Sequence, residues 1–217
     1  MERAVITPRP SRPGDEGALR RLWQTVFGDD DAFLDVFFRE IYIPGMAFVI
    51  EDGGVIAAAS YAVPFGAYRY IYAVATHPVC RGRGYGRAVT LAAAGDGPAY
   101  LHPAGEDLQR WYADMGFVPV SWRRTTAAPG DLTPLTPAEY DARREALLSG
   151  TPHASYSPGI LALFGLGGGF YADRDDRLWA IGADGSVQER LPAPAGGEPY
   201  IYAIGTQEPL YWGLTLE

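Results

Sequence analysis

The sequence predicts an α/β protein with a mixed, mostly antiparallel central sheet flanked by helices. Two amphipathic helical patterns near the start are followed by three consecutive strand-like segments, and helices then alternate with strands. The chain has 217 residues, of which 47% are hydrophobic and 20% are charged. Such a composition is typical of a packed globular protein. The length allows one large domain, or one domain and a smaller one.

A short strand is predicted at Ala4–Thr7, and two helices follow it. Acidic residues open the first helix, where they suit the helix dipole, and Gly28 is placed to end it. Asp29–Asp31 can cap the second helix, which Pro44 and Gly45 break. In both helices the apolar residues recur at the spacing of one helix face. They are Leu19, Leu22, Trp23, Val26 and Phe27 in the first, and Phe33, Leu34, Phe37, Phe38 and Ile41 in the second.

Strands dominate the next part of the chain. Asp52-Gly53-Gly54 predicts a hairpin between the first two. The predicted strands are Met46–Glu51, Val55–Pro64, Ala67–Thr76, Ala99–His102 and Phe117–Trp122. One helix is predicted around residues 88–95, after a loop rich in Gly and Arg, and another at Glu106–Met115.

A change of composition predicts a boundary after the last of these strands. Residues 127–135 are rich in Ala, Pro, Gly and Thr, so we expect a domain at 1–126, a linker at 127–135 and a small α+β domain at 136–217. Thr136 followed by Pro and, three residues on, Glu139 predicts a helix start. Gly165–Gly169 is interpreted as a flexible bend. Short strands are predicted at Phe170–Ala172, Leu178–Gly182, Ser186–Leu191, Tyr200–Ile204 and Tyr211–Leu216.

Charge and composition exclude several classes of protein. The formal net charge is −8, so the chain should repel phosphate backbones and we expect no nucleic-acid partner. All basic residues are Arg, which excludes Lys Schiff-base chemistry and a P-loop lysine. A single cysteine, Cys80, cannot form an internal disulfide. With no signal-peptide pattern and no apolar run of ~18 residues, we expect a cytoplasmic protein with no membrane partner.

A loop between the third strand and the next helix carries the main chemical signal. Its glycines let backbone N–H groups converge on an anion, and the helix start adds partial positive charge. Arg81, Arg83 and Arg87 add full charges. The loop is therefore interpreted as a diphosphate cradle. It lacks the Gly-Lys-Ser/Thr of a Walker loop, and Arg87 occupies the third glycine position of a dinucleotide fingerprint.

The pattern Arg-x-x-Gly-x-Gly at Arg81, Gly84 and Gly86 resembles the coenzyme loop of the GNAT superfamily, the GCN5-related N-acetyltransferases. Residues 74–78 resemble that family's fourth strand and its exit. Residues 108–117, Leu-Gln-Arg-Trp-Tyr-Ala-Asp-Met-Gly-Phe, resemble its later Tyr-containing helix. The opening segment, with Trp23 and Gly28 followed by acids, resembles one bacterial subgroup. The resemblance covers residues 4–126.

The resemblance implies an acetyl-CoA-dependent N-acetyltransferase with no metal. It implies that the coenzyme diphosphate binds at Arg81, Gly82, Arg83, Gly84, Tyr85, Gly86 and Arg87. It also implies that the pantetheine pairs with the backbone of Val74, Ala75 and Thr76. The Val74 N–H would stabilise an oxyanion, and Tyr112 would protonate the departing thiolate. The acceptor would be a primary amine of a small molecule or peptide, and the acidity of the chain favours a cationic one.

Several alternatives stay open from the sequence. Residues 67–76 contain no acid, so the general base is Glu40, Glu51 or a water relay. His102 and His153 are interpreted as structural or surface residues. The chain could also be a non-catalytic acyl-CoA sensor, or bind another nucleotide.

The role of the C-terminal segment is equally open. It could be a degenerate second GNAT unit, a lid, or a dimerisation piece that makes a homodimer. In relatives of the enhanced-intracellular-survival type the terminal carboxylate works in the active site, which suggests that role for the end of this chain.

Overall fold

The structure, a computed structural model, describes residues 7–216. The strands are β1 (Arg9–Pro10), β2 (Ala47–Asp52), β3 (Val55–Phe65), β4 (Tyr68–Thr76), β5 (Ala99–Leu101), β6 (Val118–Arg123), β7 (Leu132–Leu135), β8 (Gly169–Asp173), β9 (Leu178–Ile181), β10 (Val187–Leu191) and β11 (Glu198–Ile204). The helices are α1 (Glu16–Val26), α2 (Asp31–Glu40), α3 (Tyr85–Ala94), α4 (Glu106–Ala113), α5 (Pro137–Leu147) and α6 (Pro158–Gly165). Of the strand predicted at Ala4–Thr7, residues 4–6 lie outside the described part, and β1 begins after it.

A large sheet forms the centre of the molecule. Its seven strands lie in the order β1-β2-β3-β4-β5-β11-β6. Neighbouring strands are antiparallel except for β4 and β5, which are parallel. This arrangement confirms the predicted mixed and mostly antiparallel sheet. Within residues 7–216, no helix combines the length and the apolar character that crossing a membrane requires.

Helices cover both faces of the large sheet. Helices α1 and α2 pack on one face, where Trp23 and Phe37 contact Tyr61 of β3. Helices α3 and α4 pack on the other face, where Val89 lies with Ile50, and Tyr112 lies with Ile71. The apolar stripes predicted for α1 and α2 supply most of the aromatic core, because Leu19, Leu22, Trp23, Leu34, Phe37 and Phe38 are all buried.

A second, smaller sheet follows in the order β10-β9-β8-β7. Its first strand, β7, begins at Leu132, so the second half of the predicted linker is a strand paired with β8. Helix α6 was not predicted, and it packs against α2. The flexible bend expected at Gly165–Gly169 is wrong at both ends, because Gly165 ends α6 and Gly169 begins β8.

Strand β11 returns from the second sheet to the large one. It lies between β5 and β6, pairing Tyr202 with Leu101 and Glu198 with Arg123. Residues 136–217 therefore contribute to both sheets. The division of the chain into domains stays a prediction.

The strand predicted at Tyr211–Leu216 is wrong. Tyr211 makes one isolated bridge, with His153, and residues 212–216 form no strand. The backbone groups there bind side chains instead, since the hydroxyls of Tyr200 and Tyr156 accept from the amides of Gly213 and Leu214. Side chains thus satisfy the polar backbone that a sheet ladder would otherwise satisfy.

Candidate active site

Strand β4 contains a β-bulge at the centre of the large sheet. Ala75 pairs with Ala59 and Tyr72 pairs with Tyr61, so Ala73 and Val74 together oppose one residue of β3. Ala73 has a φ of 47°, a conformation that side chains other than Gly seldom adopt. A bulge takes backbone groups out of the regular ladder, and here it lies where the sheet opens.

The opening is a split between β4 and β5. The two parallel strands pair at Arg69 with Ala99 and at Tyr70 with Tyr100, near the start of β4, and β5 ends at Leu101. The later half of β4 therefore faces a cavity of about 770 Å³ on its β5 side. The lining residues come from β4, both faces of the sheet and the C-terminal segment: Trp23, Val26, Phe27, Asp29, Phe33, Tyr70, Ile71, Tyr72, Ala73, Val74, Thr76, Arg81, Gly86, His102, Ala104, Leu108, Trp111, Tyr112 and Leu216.

The Gly/Arg loop borders this cavity on the α3 side. Gly82 and Gly84 have φ values of 75° and 81°, and Gly84 precedes the first residue of α3. The first-turn amides of a helix have no acceptor within the helix, so the start of α3 offers N–H groups to an anion. A Cβ at Gly86 would lie 3.2 Å from the Thr76 Oγ1, which shows how closely α3 approaches the end of β4.

The loop arginines differ in what they contact. Arg81 lines the cavity, and its Nε lies 3.4 Å from the carbonyl oxygen of Thr76. Arg83 pairs with the Asp52 carboxylate at 2.6 Å, and the hydroxyl of Tyr85 donates to the same carboxylate at 3.0 Å. Arg87 donates to the backbone carbonyl of Asp114. Of these arginines, the structure brings Arg81 to the cavity wall and holds Arg83 and Arg87 outside it.

Tyr112 lies near the end of α4 and lines the cavity. It is 6% exposed, and its ring meets those of Trp111 and Phe117 edge-on. Burial raises the pKa of the Tyr112 hydroxyl well above its usual value, so the phenol keeps its proton. Tyr112 and Val74, the two predicted catalytic residues, thus line one cavity.

The opposite face of the sheet gives the cavity an aromatic wall. Tyr72 of β4 lies there, with its ring centroid 5.5 Å from that of Trp23. Phe27 and Phe33 also contact Trp23, at 5.8 and 6.0 Å. The indole N–H of Trp23 donates to Asp29 at 2.7 Å, which holds that carboxylate at the end of α1.

The general-base candidates from the sequence lie elsewhere. Glu51 pairs with Arg9 and Glu40 pairs with Arg39, and neither lines the cavity. His102, interpreted from the sequence as structural or at the surface, follows β5 and lies in the cavity wall. It was missed because no neighbouring residue marks it as functional.

The C-terminal segment also reaches the cavity. Leu216 is buried and forms part of its wall. Glu217, whose carboxylate was considered from the resemblance, lies outside the described residues. In the part of the chain from 7 to 216, no three or more His, Cys, Asp or Glu side chains are grouped as ligands of a metal ion would be.

Several solved structures that share this fold are named as acetyltransferases. The chain superposes on a candidate acetyltransferase from Pyrococcus horikoshii with a TM-score of 0.61 and 8% identity, covering 99% of this chain and 95% of the other. A GCN5-related N-acetyltransferase from Kribbella flavida gives 0.57 and 15% over 90% of this chain and 59% of that protein. Eis1 from Mycobacterium abscessus gives 0.53 and 15% over 81% and 52%. At these identities the likeness concerns the fold.

The split in the sheet thus lies beside the glycine-rich loop, and a family comparison gives the class of protein. The model of the acetyltransferase (GNAT) family matches residues 17–117, so this part of the chain is a GNAT acetyltransferase domain. The family uses acetyl-CoA as its co-substrate. A sequence comparison with curated proteins finds no match.

Proposed function

We propose that the protein is an acetyl-CoA-dependent N-acetyltransferase that acetylates a primary amine of a small molecule or peptide. The amine attacks directly, with both substrates bound in one ternary complex. The observation that carries the proposal is the state of β4, which is bulged and whose later half does not pair with β5. This unpaired half lines the same cavity as Tyr112, beside the glycine-rich loop.

The residues present fit the coenzyme. The backbone of residues 82–87 and the guanidinium of Arg81 can hold its diphosphate, and the φ values of Gly82 and Gly84 suit a loop whose amides turn toward an anion. The open edge of β4 at Val74, Ala75 and Thr76 can pair with the amides of the pantetheine as an added strand would. When bound, the coenzyme supplies the acetyl group as a thioester.

Three groups of this chain then serve the transfer. The Val74 N–H, within the bulge, stabilises the negative charge that develops on the thioester oxygen. As the C–N bond forms and the C–S bond breaks, the Tyr112 hydroxyl gives its proton to the departing thiolate. His102 takes the proton that the amine loses, directly or through water. The cavity adds to the rate by holding the reacting groups together.

Release of free thiol from acetyl-CoA, measured across a panel of amines, tests this function. Tyr112→Phe should lower kcat about a hundredfold while the affinity for acetyl-CoA stays nearly the same. Tyr202→Phe is the matched control, because Tyr202 lies in the same apolar cluster as Tyr112 but does not line the cavity.

Equal loss of turnover and coenzyme affinity in Tyr112→Phe would contradict the role given to Tyr112. Thermal stabilisation of the wild-type protein by coenzyme A, with no thiol release on any amine, would instead indicate a non-catalytic acyl-CoA-binding protein. Stronger stabilisation by ATP or NAD than by coenzyme A would contradict both.

A further inference from the structure

We propose that the acceptor is a dicationic amine with an apolar spacer, and that Asp29 binds its second, non-reacting ammonium group. The inference rests on the proposed function and names the substrate class of the same cavity. It is drawn from the half of the cavity on the α1–α2 face of the sheet, here called the acceptor half. Trp23, Phe27, Asp29, Phe33 and Tyr72 line the acceptor half.

The acceptor half is lined mainly by aromatic rings. The rings of Phe27, Phe33 and Tyr72 lie around Trp23, with centroid distances between 5.5 and 6.0 Å. Phe27 is 45% exposed and lines the cavity, so a large apolar surface there is open to a ligand. A ligand with an apolar body would bury this surface, and an ammonium group would be attracted to the ring faces.

Of the three consecutive acidic residues 29–31, Asp29 is the one that lines the cavity. Asp30 caps α2 by accepting the amide of Phe33, and Asp31 accepts from the side chain of Gln24. Asp29 accepts the indole N–H of Trp23 through Oδ2, and no residue within the described chain donates to its Oδ1. One carboxylate oxygen is thereby fixed by Trp23 and the other is left for a ligand.

The charges along the cavity favour a cation at this end. Asp29 lies at the loop between α1 and α2, on one face of the sheet, whereas Arg81 lies on the α3 face. The reacting amine must reach Val74 on β4, whereas Asp29 follows α1, and both residues line the same cavity. A long acceptor whose amine reaches Val74 can therefore place its other end at the Asp29 carboxylate, which attracts a second ammonium and repels an acid.

Two probes of equal shape test the proposal. The first is 1,4-bis(aminomethyl)benzene, and the second is 4-methylbenzylamine, which lacks the second ammonium. The wild-type protein should show a kcat/KM for the diamine about tenfold above that for the monoamine, as expected for one charge-assisted hydrogen bond. In Asp29→Asn, which keeps an acceptor for Trp23, this ratio should fall to about two, the statistical value for a probe with two equivalent amines. Asp31→Asn is the matched control and should keep the wild-type ratio.

Binding of the diamine to the coenzyme A complex, measured by titration calorimetry, separates the two proposals. Thiol release with no preference between the probes, or a preference that Asp29→Asn keeps, overturns the inference and leaves the acetyltransferase function standing. Diamine binding that depends on Asp29, without thiol release, supports the ammonium site at Asp29 but contradicts the function and, with it, the diamine as acceptor. Absence of both binding and release overturns both.

Discussion

Arg144 of α5 and Glu189 of β10 form a fully buried ion pair, with the Arg144 Nε 3.0 Å from the Glu189 Oε1. The hydroxyls of Tyr140 and Tyr156 donate to the other carboxylate oxygen, at 2.8 and 3.0 Å. Arg144 also donates to the carbonyl of Trp212 at 3.1 Å. The pair thereby ties the second sheet to the C-terminal segment, whose Leu216 forms part of the cavity wall.

We expect Glu189→Gln to destabilise the fold by about 3–5 kcal/mol, because it leaves the buried guanidinium of Arg144 with only the partly exposed Glu145 as a counter-charge. Urea unfolding measures this loss. Arg143→Gln is the control, since Arg143 is half exposed and pairs at 3.5 Å with the exposed Asp176, and it should change stability by no more than about 0.5 kcal/mol. Equal changes in the free energy of unfolding for the two substitutions would show that the buried pair does not stabilise the fold.

Replacement of Gly84 should weaken coenzyme binding. Its φ of 81° is strained for any residue with a Cβ, at roughly 1–2 kcal/mol, so a Cβ there favours a different conformation of the loop. Gly84→Ala should therefore raise the Kd for coenzyme A about tenfold or more, as measured by titration calorimetry. Gly14→Ala, at an open position with ordinary φ, should not change it. An unchanged Kd in Gly84→Ala would place the diphosphate elsewhere.

The pH dependence of turnover should reflect the burial of Tyr112. An ordinary phenol loses its proton near pH ~10. Because burial raises the pKa of Tyr112 above that value, the proton it donates remains present as the pH rises, and kcat should show no falling limb up to about pH 10. A fall in kcat with a midpoint near pH ~9 that vanishes in Tyr112→Phe would show that the pKa of Tyr112 is not raised.

His102 should matter for the amine and not for the coenzyme. His102→Gln removes the proposed proton acceptor, so kcat should fall about tenfold to a hundredfold while the Kd for acetyl-CoA is kept. His153→Gln serves as the control, because His153 lies far along the chain beside Glu145 and does not line the cavity. If His102→Gln retains full kcat, a water relay or another group accepts the proton.

Asp173 should make the fold sensitive to strong acid. Burial alone would raise the pKa of Asp173, but hydrogen bonds from Arg177 and the indole of Trp179 outweigh it and lower the pKa to about 2. Because this value lies below the ordinary 3.8, the stabilisation is full above pH 3.8 and is lost as the pH falls through about 2.

Asp173→Asn should therefore flatten the dependence of the unfolding free energy on pH between about 4 and 2. Circular dichroism during acid titration measures this dependence. The more exposed Asp175→Asn should leave most of it in place. An identical acid transition in the wild-type protein and Asp173→Asn would assign the sensitivity to other carboxyl groups.

Elements with local signals could be predicted from the sequence. The Thr136 hydroxyl accepts from the Glu139 amide as its capping motif indicates, and Asp30 caps α2. Helix α6 could not be predicted in this way, because its apolar run shows no one-sided periodicity and its burial depends on α2. The place of β11 could not be predicted either, since its partners β5 and β6 lie far from it along the chain.

The residues of the site also fall into those with a local sequence signal and those without one. The glycine loop, β4 and Tyr112 belong to continuous motifs, and the structure brings Arg81, Val74 and Tyr112 to one cavity. His102 belongs to no motif, and Asp29 was interpreted only as a helix cap, whereas the structure places both residues in the cavity wall. Residues that lie far apart along the chain and meet only in the folded cavity wall could not be predicted from local sequence patterns.

The insertion of β11 between β5 and β6 bears on how the chain is made. Until residue 204 has left the ribosome, Leu101 and Val118 lie on strands whose facing edges have no neighbour between them. Closing that gap joins segments about a hundred positions apart, which is slow, and an open strand edge meanwhile invites other chains. A protein truncated after residue 126 would lack β11 and keep the gap between β5 and β6, so we expect it to accumulate in inclusion bodies.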